Sequence, residues 1–483
     1  GVTGSGKTTT CHRLLSEADV PFLVIEPAKT EYRTLASKDE NLVVFTLGNE
    51  MVAPFRINPF ELIKGEVISA HVDMIKATFT SAFPMEASMP QILEEAIYNV
   101  YKNKGWNIDT NENEFYGDDA FNPDVNSFPI LSDLLSEMKT VVESKHFSAQ
   151  MQSDYIGSLV SRLSNLTVGS KGSMLNCEHS IDFRFIAHNN VILEMEELKS
   201  PEDKALFMGF ILSRLSAVIK EEHKRNPNYK HLTLIEEAHR LLSKVEYGDS
   251  GSKKGAVETF TDLLAEVRKY GEGLIIVDQI PNKLAPEVLK NTNTKIIHRI
   301  LAKDDKETVG DTMLMDDKQK EYLSALEVGN AIVFTEDTEK PIHVHIKQVT
   351  NTSEKQIENE VVRERFLKKK YMIGCYEIPE IAEVMDLFKE VANETRQWHV
   401  NDEINEKLKK KIDNIARQYD MTCEQVWYKL ILRYDNITGK VNFGGNQELR
   451  VKALVEFFSK VFVKKDYNDD DIFKNKEICN DLC

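Results

Sequence analysis

The first eight residues constrain the fold more than any other part of the chain. Gly1-Val2-Thr3-Gly4-Ser5-Gly6-Lys7-Thr8 fits G-x-x-x-x-G-K-[ST], a loop whose successive backbone N–H groups cradle phosphates where a helix begins. In that arrangement Gly4, Ser5, Gly6 and Thr9 belong to the phosphate cradle. Lys7 reaches the β and γ phosphates of ATP as a point charge, and the Thr8 hydroxyl is a ligand for Mg²⁺. The following residues agree with this order of elements. Residues 9–15 can continue as a helix, and Pro21-Phe22-Leu23-Val24-Ile25-Glu26 reads as a short buried strand. A loop of this kind follows a strand and no residue precedes Gly1, so the chain is expected to lack its original beginning.

The other half of such a site is an apolar strand ending in carboxylates, and Leu232-Thr233-Leu234-Ile235-Glu236-Glu237-Ala238-His239-Arg240 supplies one. Two adjacent acids at a strand end are costly without a cation. Glu236 is the candidate Mg²⁺ partner, directly or through water, and Glu237 the candidate to polarise the water that attacks the γ phosphate. Alone, the pair reads equally well as a solvated strand end; His239 fits either a supporting role or a turn. Gly273-Leu274-Ile275-Ile276-Val277-Asp278-Gln279 reads as a central parallel strand with Gln279 as γ-phosphate sensor or ordinary strand-end amide. Residues 260–270 have helical spacing and end in Arg268 and Lys269, and Lys295-Ile296-Ile297-His298-Arg299-Ile300 reads as a further buried strand. Arg268 and Arg299 are the two candidates for a guanidinium that completes the charge cage from a neighbouring subunit; either could be a plain ion-pair arginine.

Composition narrows the partners. Sixty-one Lys and Arg against 78 Asp and Glu give a net charge of −17 in 483 residues, so any contact with nucleic acid must be a local basic patch. At about 150 residues per domain the chain holds three domains at most. No run of about 18 apolar residues and no basic-then-apolar leader occurs, so neither a membrane span nor a secretory signal is expected. The six cysteines have no CxxC spacing, against a zinc ribbon or disulfide framework and in favour of a reducing cytoplasm.

Three stretches taken together, Val24-Ile25-Glu26-Pro27-Ala28-Lys29-Thr30-Glu31-Tyr32-Arg33, Leu234-Ile235-Glu236-Glu237-Ala238-His239 and Arg268-Lys269-Tyr270-Gly271-Glu272-Gly273, with the strand ending at Gln279, resemble the HerA branch of the HerA/FtsK ATPases over about residues 1–350. The resemblance implies an α/β fold, a RecA-like core with a mostly parallel sheet, assembled as a homo-hexameric ring. It also implies ATP-driven translocation of double-stranded DNA through the pore and a nuclease or other effector protein as partner, in antiviral defence or DNA repair. Members usually carry an N-terminal β-barrel before the P-loop, and on this sequence that part is expected to be missing. Glu236 stands where Asp is usual, which bears on the metal geometry and not on the role of Glu237.

Around that core, residues 1–55 and 186–350 form the expected ATPase domain, 56–185 a helical insertion and 351–483 a charged helical C-terminal region. Within the insertion, 58–82 reads as helix with Asn58 as N-cap, 91–102 and 132–164 as helix, and 108–127 as an acidic, Asn-rich loop. Asn190-Val191-Ile192-Leu193-Glu194-Met195 is a strand and 201–222 a helix, completing the alternation of a parallel sheet. Beyond residue 352, 354–370 and 403–419 are amphipathic, and 466–471 is an acidic cluster that reads as a solvated tail. Trp106, Trp398 and Trp427 read as core or interface anchors. The Gly248–Gly255 loop with Lys253 and Lys254, and the loop at Lys171, could line a pore and touch DNA phosphates or be mobile surface. Conjugation and secretion ATPases share the core motifs and the Glu31-Tyr32 pair, so a protein-translocating motor remains open beside the DNA motor. So does a nucleotide-gated scaffold. No membrane segment and the Arg268-Lys269-Tyr270-Gly271 stretch lean toward DNA.

Overall fold

The computed structural model describes residues 4–85, 87–122, 125–347, 356–369 and 402–418, with isolated positions at 373, 384, 387, 388, 423, 426 and 430. The first three residues of the P-loop pattern, the acidic cluster at 466–471, Trp398, Trp427, Cys375, Cys479 and Cys483 lie outside them. The chain divides into two compact units: Gly1–Glu61, Glu66–Val100 and Pro129–Leu367 in the first, and Leu62–Gly65, Tyr101–Phe128 and Lys368–Cys483 in the second.

Five short apolar runs build the sheet of the first unit. They are β1 (Phe22–Glu26), β2 (Val43–Thr46), β3 (Val191–Glu194), β4 (His231–Glu236) and β5 (Glu272–Val277), in the order β2-β3-β1-β4-β5. Every pairing is parallel, with Leu23 opposite Val191 and Thr233, and Glu236 opposite Val277. Strands β1, β2 and β3 are buried along their whole length, which is why they are continuous Val, Ile, Leu and Phe rather than alternating. Parallel strands bring their carboxyl ends to one rim, so Glu26, Glu194, Glu236 and, after a residue or two, Gln279 gather there.

β5 corrects the expectation of a central strand: it is the edge of the sheet, and Gly273–Ile276 are only half-buried. A groove of about 640 Å³ runs beside it, lined among others by Cys11, Leu14, Leu274, Ile276 and Ile296, which leaves its apolar side chains only half-buried. The strand expected at 295–300 is shorter and belongs elsewhere. β6 (Lys295–Ile297) pairs antiparallel with β7 (Asn330–Phe334), which pairs antiparallel with β8 (Ile342–His345). This three-stranded sheet has its own core of Ile300, Val309, Met313, Leu323, Leu326 and Ile332.

Helix α1 (Lys7–Glu17) leaves the P-loop. The helix α2 (Ile68–Ala82) packs on α3 (Pro201–Arg225) and on α4 (Gly251–Val267). α3 carries its signals in sequence: the Ser200 side chain accepts from Asp203 N–H at 3.2 Å, Pro201 opens the helix, and Glu202 and Asp203 begin what His223, Lys224 and Arg225 end. The helix expected from residue 58 starts ten residues later. Asn58 is no N-cap: its Nδ2 donates to the Pro129 and Glu178 carbonyls at 3.0 Å and its Oδ1 accepts from Phe60 N–H at 2.9 Å, an Asx turn that competes with helix. The helix expected over 132–164 is broken into Leu131–Ser144, Ala149–Tyr155, a π-helical turn at Ile156–Val160, and Ser161–Leu166. In the second unit Trp106 is a core anchor, stacked on Phe128 at 5.2 Å with its Nε1 donating to the Ser127 carbonyl at 2.7 Å. Among the described cysteines, Cys11, Cys177 and Cys423 form no disulfide.

Candidate active site

The rim of strand ends and the start of α1 enclose a cleft of about 360 Å³. Gly4, Gly6, Lys7, Thr8, Thr9, Glu26, Ala28, Lys29, Glu31, Glu236, Glu237, Gln279 and Val328 line it. Gly4 at φ 75° and Gly6 at φ 107° make the left-handed turn that aims the loop's amides inward, a conformation that a side chain disfavours. α1 has no side-chain cap and no acid in its first turn, leaving its orphan N–H groups and positive dipole end for an anion. Ser5 is turned inward and buried, its carbonyl accepting from Gly329 N–H at 3.3 Å. Burial holds the Lys7 ammonium below its usual range.

The carboxylates are held by different devices. Glu236 is half-buried and its Oε1 accepts from the Tyr32 hydroxyl at 2.7 Å; burial lifts its pKa, while the phenol and the Lys7 charge oppose that rise. Glu237 has φ 50° and ψ 42°, a left-handed backbone that costs a non-glycine residue energy, and its Oε2 accepts from Arg240 Nε at 2.6 Å. The residues Glu26, Lys29, Glu31 and Tyr32 enter from the segment after β1. Burial pushes the Glu26 carboxyl up to about 9, although it accepts from Glu31 N–H at 2.6 Å and Tyr32 N–H at 3.4 Å. Glu31 goes the other way. Burial works against its ionisation, but the Lys29 ammonium at 2.5 Å and the Thr8 hydroxyl at 2.6 Å outweigh it and hold its carboxyl below the usual range. Arg33 anchors the same segment by donating Nε and Nη2 to the two oxygens of buried Glu194 at 2.6 and 2.7 Å.

The remaining candidates are scattered. Gln279 lines the cleft. His239 stands in the single 3₁₀ turn Ala238–Arg240, its backbone N–H and Nδ1 both on Asp278 Oδ2 at 3.0 and 2.7 Å. Neither Arg268 nor Arg299 lines the cleft. Arg268 is exposed at the amino end of β5, the end opposite the cleft, with Nη1 donating to the Asn291 carbonyl at 3.0 Å; the Nε of Arg299 is buried with no hydrogen-bond partner among the described residues. The two basic loops are also different from expectation. Lys171 lies on a helical turn, Gly169–Leu175, and pairs with Asp203 at 3.1 Å. Helix α4 begins at Gly251, so Lys253 and Lys254 are helical and face Asp249 at 3.0 Å and Glu258 at 4.0 Å.

Sequence reasoning left Glu26, Lys29 and Glu31 without individual roles, and passed over Asp278, Val328 and His298. His298 Nε2 is 2.8 Å from Thr10 Oγ1, behind the P-loop. The available signal for the first group was position, since a polar segment just after a buried parallel strand lies on the ligand-binding rim. Nothing in the sequence could bring Val328 or His298 to the loop.

The donors fit a nucleotide with a hard divalent cation. Anion-seeking amides and Lys7 face an oxygen-rich wall of Thr8, Glu31, Glu236 and Glu237. Among the described residues no group of three or more His, Cys, Asp or Glu forms a metal cage. Mg²⁺ needs none, since it takes one or two carboxylates, waters and phosphate oxygens. Parallel sheet, P-loop and paired acids define a P-loop ATPase core of the RecA-like type. The comparisons with known proteins narrow the class. The chain is 36% identical over 158 residues to the DNA double-strand break repair helicase HerA of Sulfolobus acidocaldarius, covering 32% of this chain and 31% of that protein. It is 33% identical over 132 residues to the HerA of Saccharolobus solfataricus, covering 26% and 25%. The resemblance to the HerA branch is thus borne out, although the chain spans only about a third or less of these relatives' length, and no family model matches. VirB4 of Thermoanaerobacter pseudethanolicus, at 19% identity and a TM-score of 0.53 over 74% of this chain and 90% of that one, shares the fold. No described helix is long and apolar enough to cross a membrane.

Proposed function

We propose that this chain is an ATP-hydrolysing motor that drives double-stranded DNA through a homo-hexameric ring and works with a nuclease or other effector in the cytoplasm, in antiviral defence or DNA repair. The observation that carries the reading is one cleft that joins an uncapped helix N-terminus, Lys7 and Thr8 to the Glu236-Glu237 pair and Gln279. In the proposed domain plan, 1–55 and 186–350 are the motor, 56–185 its helical insertion and 351–483 a charged helical region.

The residues divide the work. The amides from Gly4 to Thr9 and the Lys7 ammonium bind and orient the phosphates. Thr8 and one of the carboxylates facing it would hold Mg²⁺, which when bound would offset the charge on the β and γ oxygens. Glu237, released from Arg240, takes a proton from the attacking water. Gln279 reads the γ phosphate. Since neither Arg268 nor Arg299 lines the cleft, either can serve a neighbour's site in a ring and not its own. DNA affinity then rests on basic side chains repeated six times around a channel, which suits a chain of net charge −17.

The test is ATP hydrolysis with and without linear duplex. Stimulation that is blind to sequence and falls steeply with salt is the expected result, with a native mass several times that of one chain. Hydrolysis indifferent to DNA overturns the DNA motor and favours the protein-translocating or scaffold reading. A monomer at full rate overturns the ring and the arginine in trans.

A further inference from the structure

A threonine hydroxyl has one proton and two lone pairs, so it can turn a lone pair to a cation only while another group accepts its proton. In this cleft that acceptor is Glu31: Thr8 Oγ1 donates to its Oε2 at 2.6 Å. Glu236, the acid at the strand end, is engaged differently, taking the Tyr32 hydroxyl on Oε1 at 2.7 Å. Glu31 is fixed along its length. Its N–H donates to Glu26 Oε1 at 2.6 Å, its carbonyl accepts from Thr34 Oγ1 at 3.0 Å, and its Oε1 takes the Lys29 ammonium at 2.5 Å. The Glu26 and Thr34 contacts fix its backbone, the carboxylate cannot turn aside without breaking those to Thr8 and Lys29, and it faces the same cleft as the P-loop.

We propose that Glu31, and not Glu236, is the positioning residue of the divalent-cation site: it accepts the Thr8 proton, aims the Thr8 lone pair into the cleft and presents its carboxylate to the water shell of the cation. Glu236 is then a carboxylate whose place is set by Tyr32. This rests on the nucleotide-binding reading above and assigns the cation-positioning carboxylate within it.

The test compares ADP affinity in excess Mg²⁺ with ADP affinity in EDTA, by calorimetry on the full chain, for the wild type, Glu31→Gln and Glu236→Gln; Mn²⁺ paramagnetic resonance of the ADP complex follows the cation directly. Partners that orient a metal ligand typically cost about 10–100-fold in metal affinity when removed. Glu31→Gln should therefore lower the Mg²⁺/EDTA affinity ratio at least about tenfold and weaken Mn²⁺ binding alike, while its affinity in EDTA matches the wild type and reports an intact fold. Glu236→Gln should change the ratio by less than about threefold on the same scale. A ratio that collapses in Glu236→Gln and survives in Glu31→Gln overturns the assignment. A wild type that binds no ADP in either buffer overturns the nucleotide reading itself, a result distinct from the first.

Discussion

Replacing Arg33 with Met should cost stability in a pH-dependent way, because it leaves one buried carboxylate without its partner. Arg33 is 12% exposed and Glu194 3%, and two charge-assisted hydrogen bonds of 2.6 and 2.7 Å join them. Removing one member of a buried pair costs about 3–5 kcal/mol, since the remaining charge is stranded. Glu194 can escape by taking up a proton. Burial already lifts its pKa even with Arg33 opposing the rise, and without Arg33 it must rise further. A carboxyl whose pKa is higher folded than unfolded binds more protons in the folded state, so stability falls as pH rises from about 4.3 toward the raised value, by up to about 1.4 kcal/mol per pH unit. The variant should therefore melt on the order of 10 °C below the wild type at pH 8, taking roughly 2–4 °C per kcal/mol, and the gap should narrow at pH 6. Scanning calorimetry at several pH values measures this. Adding Glu194→Gln should recover most of the loss and abolish its pH dependence. A gap under about 1 kcal/mol, or one that is the same at pH 6 and pH 8, would refute the reasoning.

Lys7→Ala should weaken binding of a fluorescent ADP analogue at least about tenfold, the scale of a lost charge-assisted phosphate contact, and unchanged binding would count against the phosphate cradle. Glu237→Gln should keep nucleotide but hydrolyse it about 10²–10⁴-fold more slowly in single-turnover assays, because an amide cannot take the proton from water; a trapped nucleotide in Glu236→Gln with normal turnover in Glu237→Gln would reverse their roles. Gly271→Ala should lower the melting temperature by several degrees. Gly271 has φ 87° and a Cβ there would collide with the Tyr229 carbonyl, so about 1–2 kcal/mol of left-handed strain adds to a backbone clash; an unshifted melt would mean the turn relaxes at no cost.

Local information carried much of this molecule. Chirality and sterics read directly from Gly4 and Gly6 the turn that opens α1, and continuous apolar runs at 22–25 and 191–193 announced strands buried on both faces. The capping signals of α3 were equally plain, because Ser200, Pro201 and the charges at both ends act within a few residues. Where the reading erred, a non-local term decided. Lys295-Ile296-Ile297 has the same apolar look as a central strand, yet its partner β7 follows it by more than thirty residues and fixes it in an antiparallel sheet. Asn58 had an N-cap's chemistry, and the Pro129 and Glu178 carbonyls, over seventy residues away, took its side chain instead.

The same division runs through the candidate site. The sequence by itself determined the phosphate-binding half and the acid pair, since each is a pattern of neighbours. Tertiary structure alone decided which carboxylate meets the Thr8 hydroxyl, because that depends on how the 27–33 segment turns over the rim and is clamped by Glu26 beneath it and by Glu194 on the next strand. A hydrogen bond between residues 8 and 31 depends on how α1 and the segment after β1 meet over the strand ends, and no spacing along the chain encodes it.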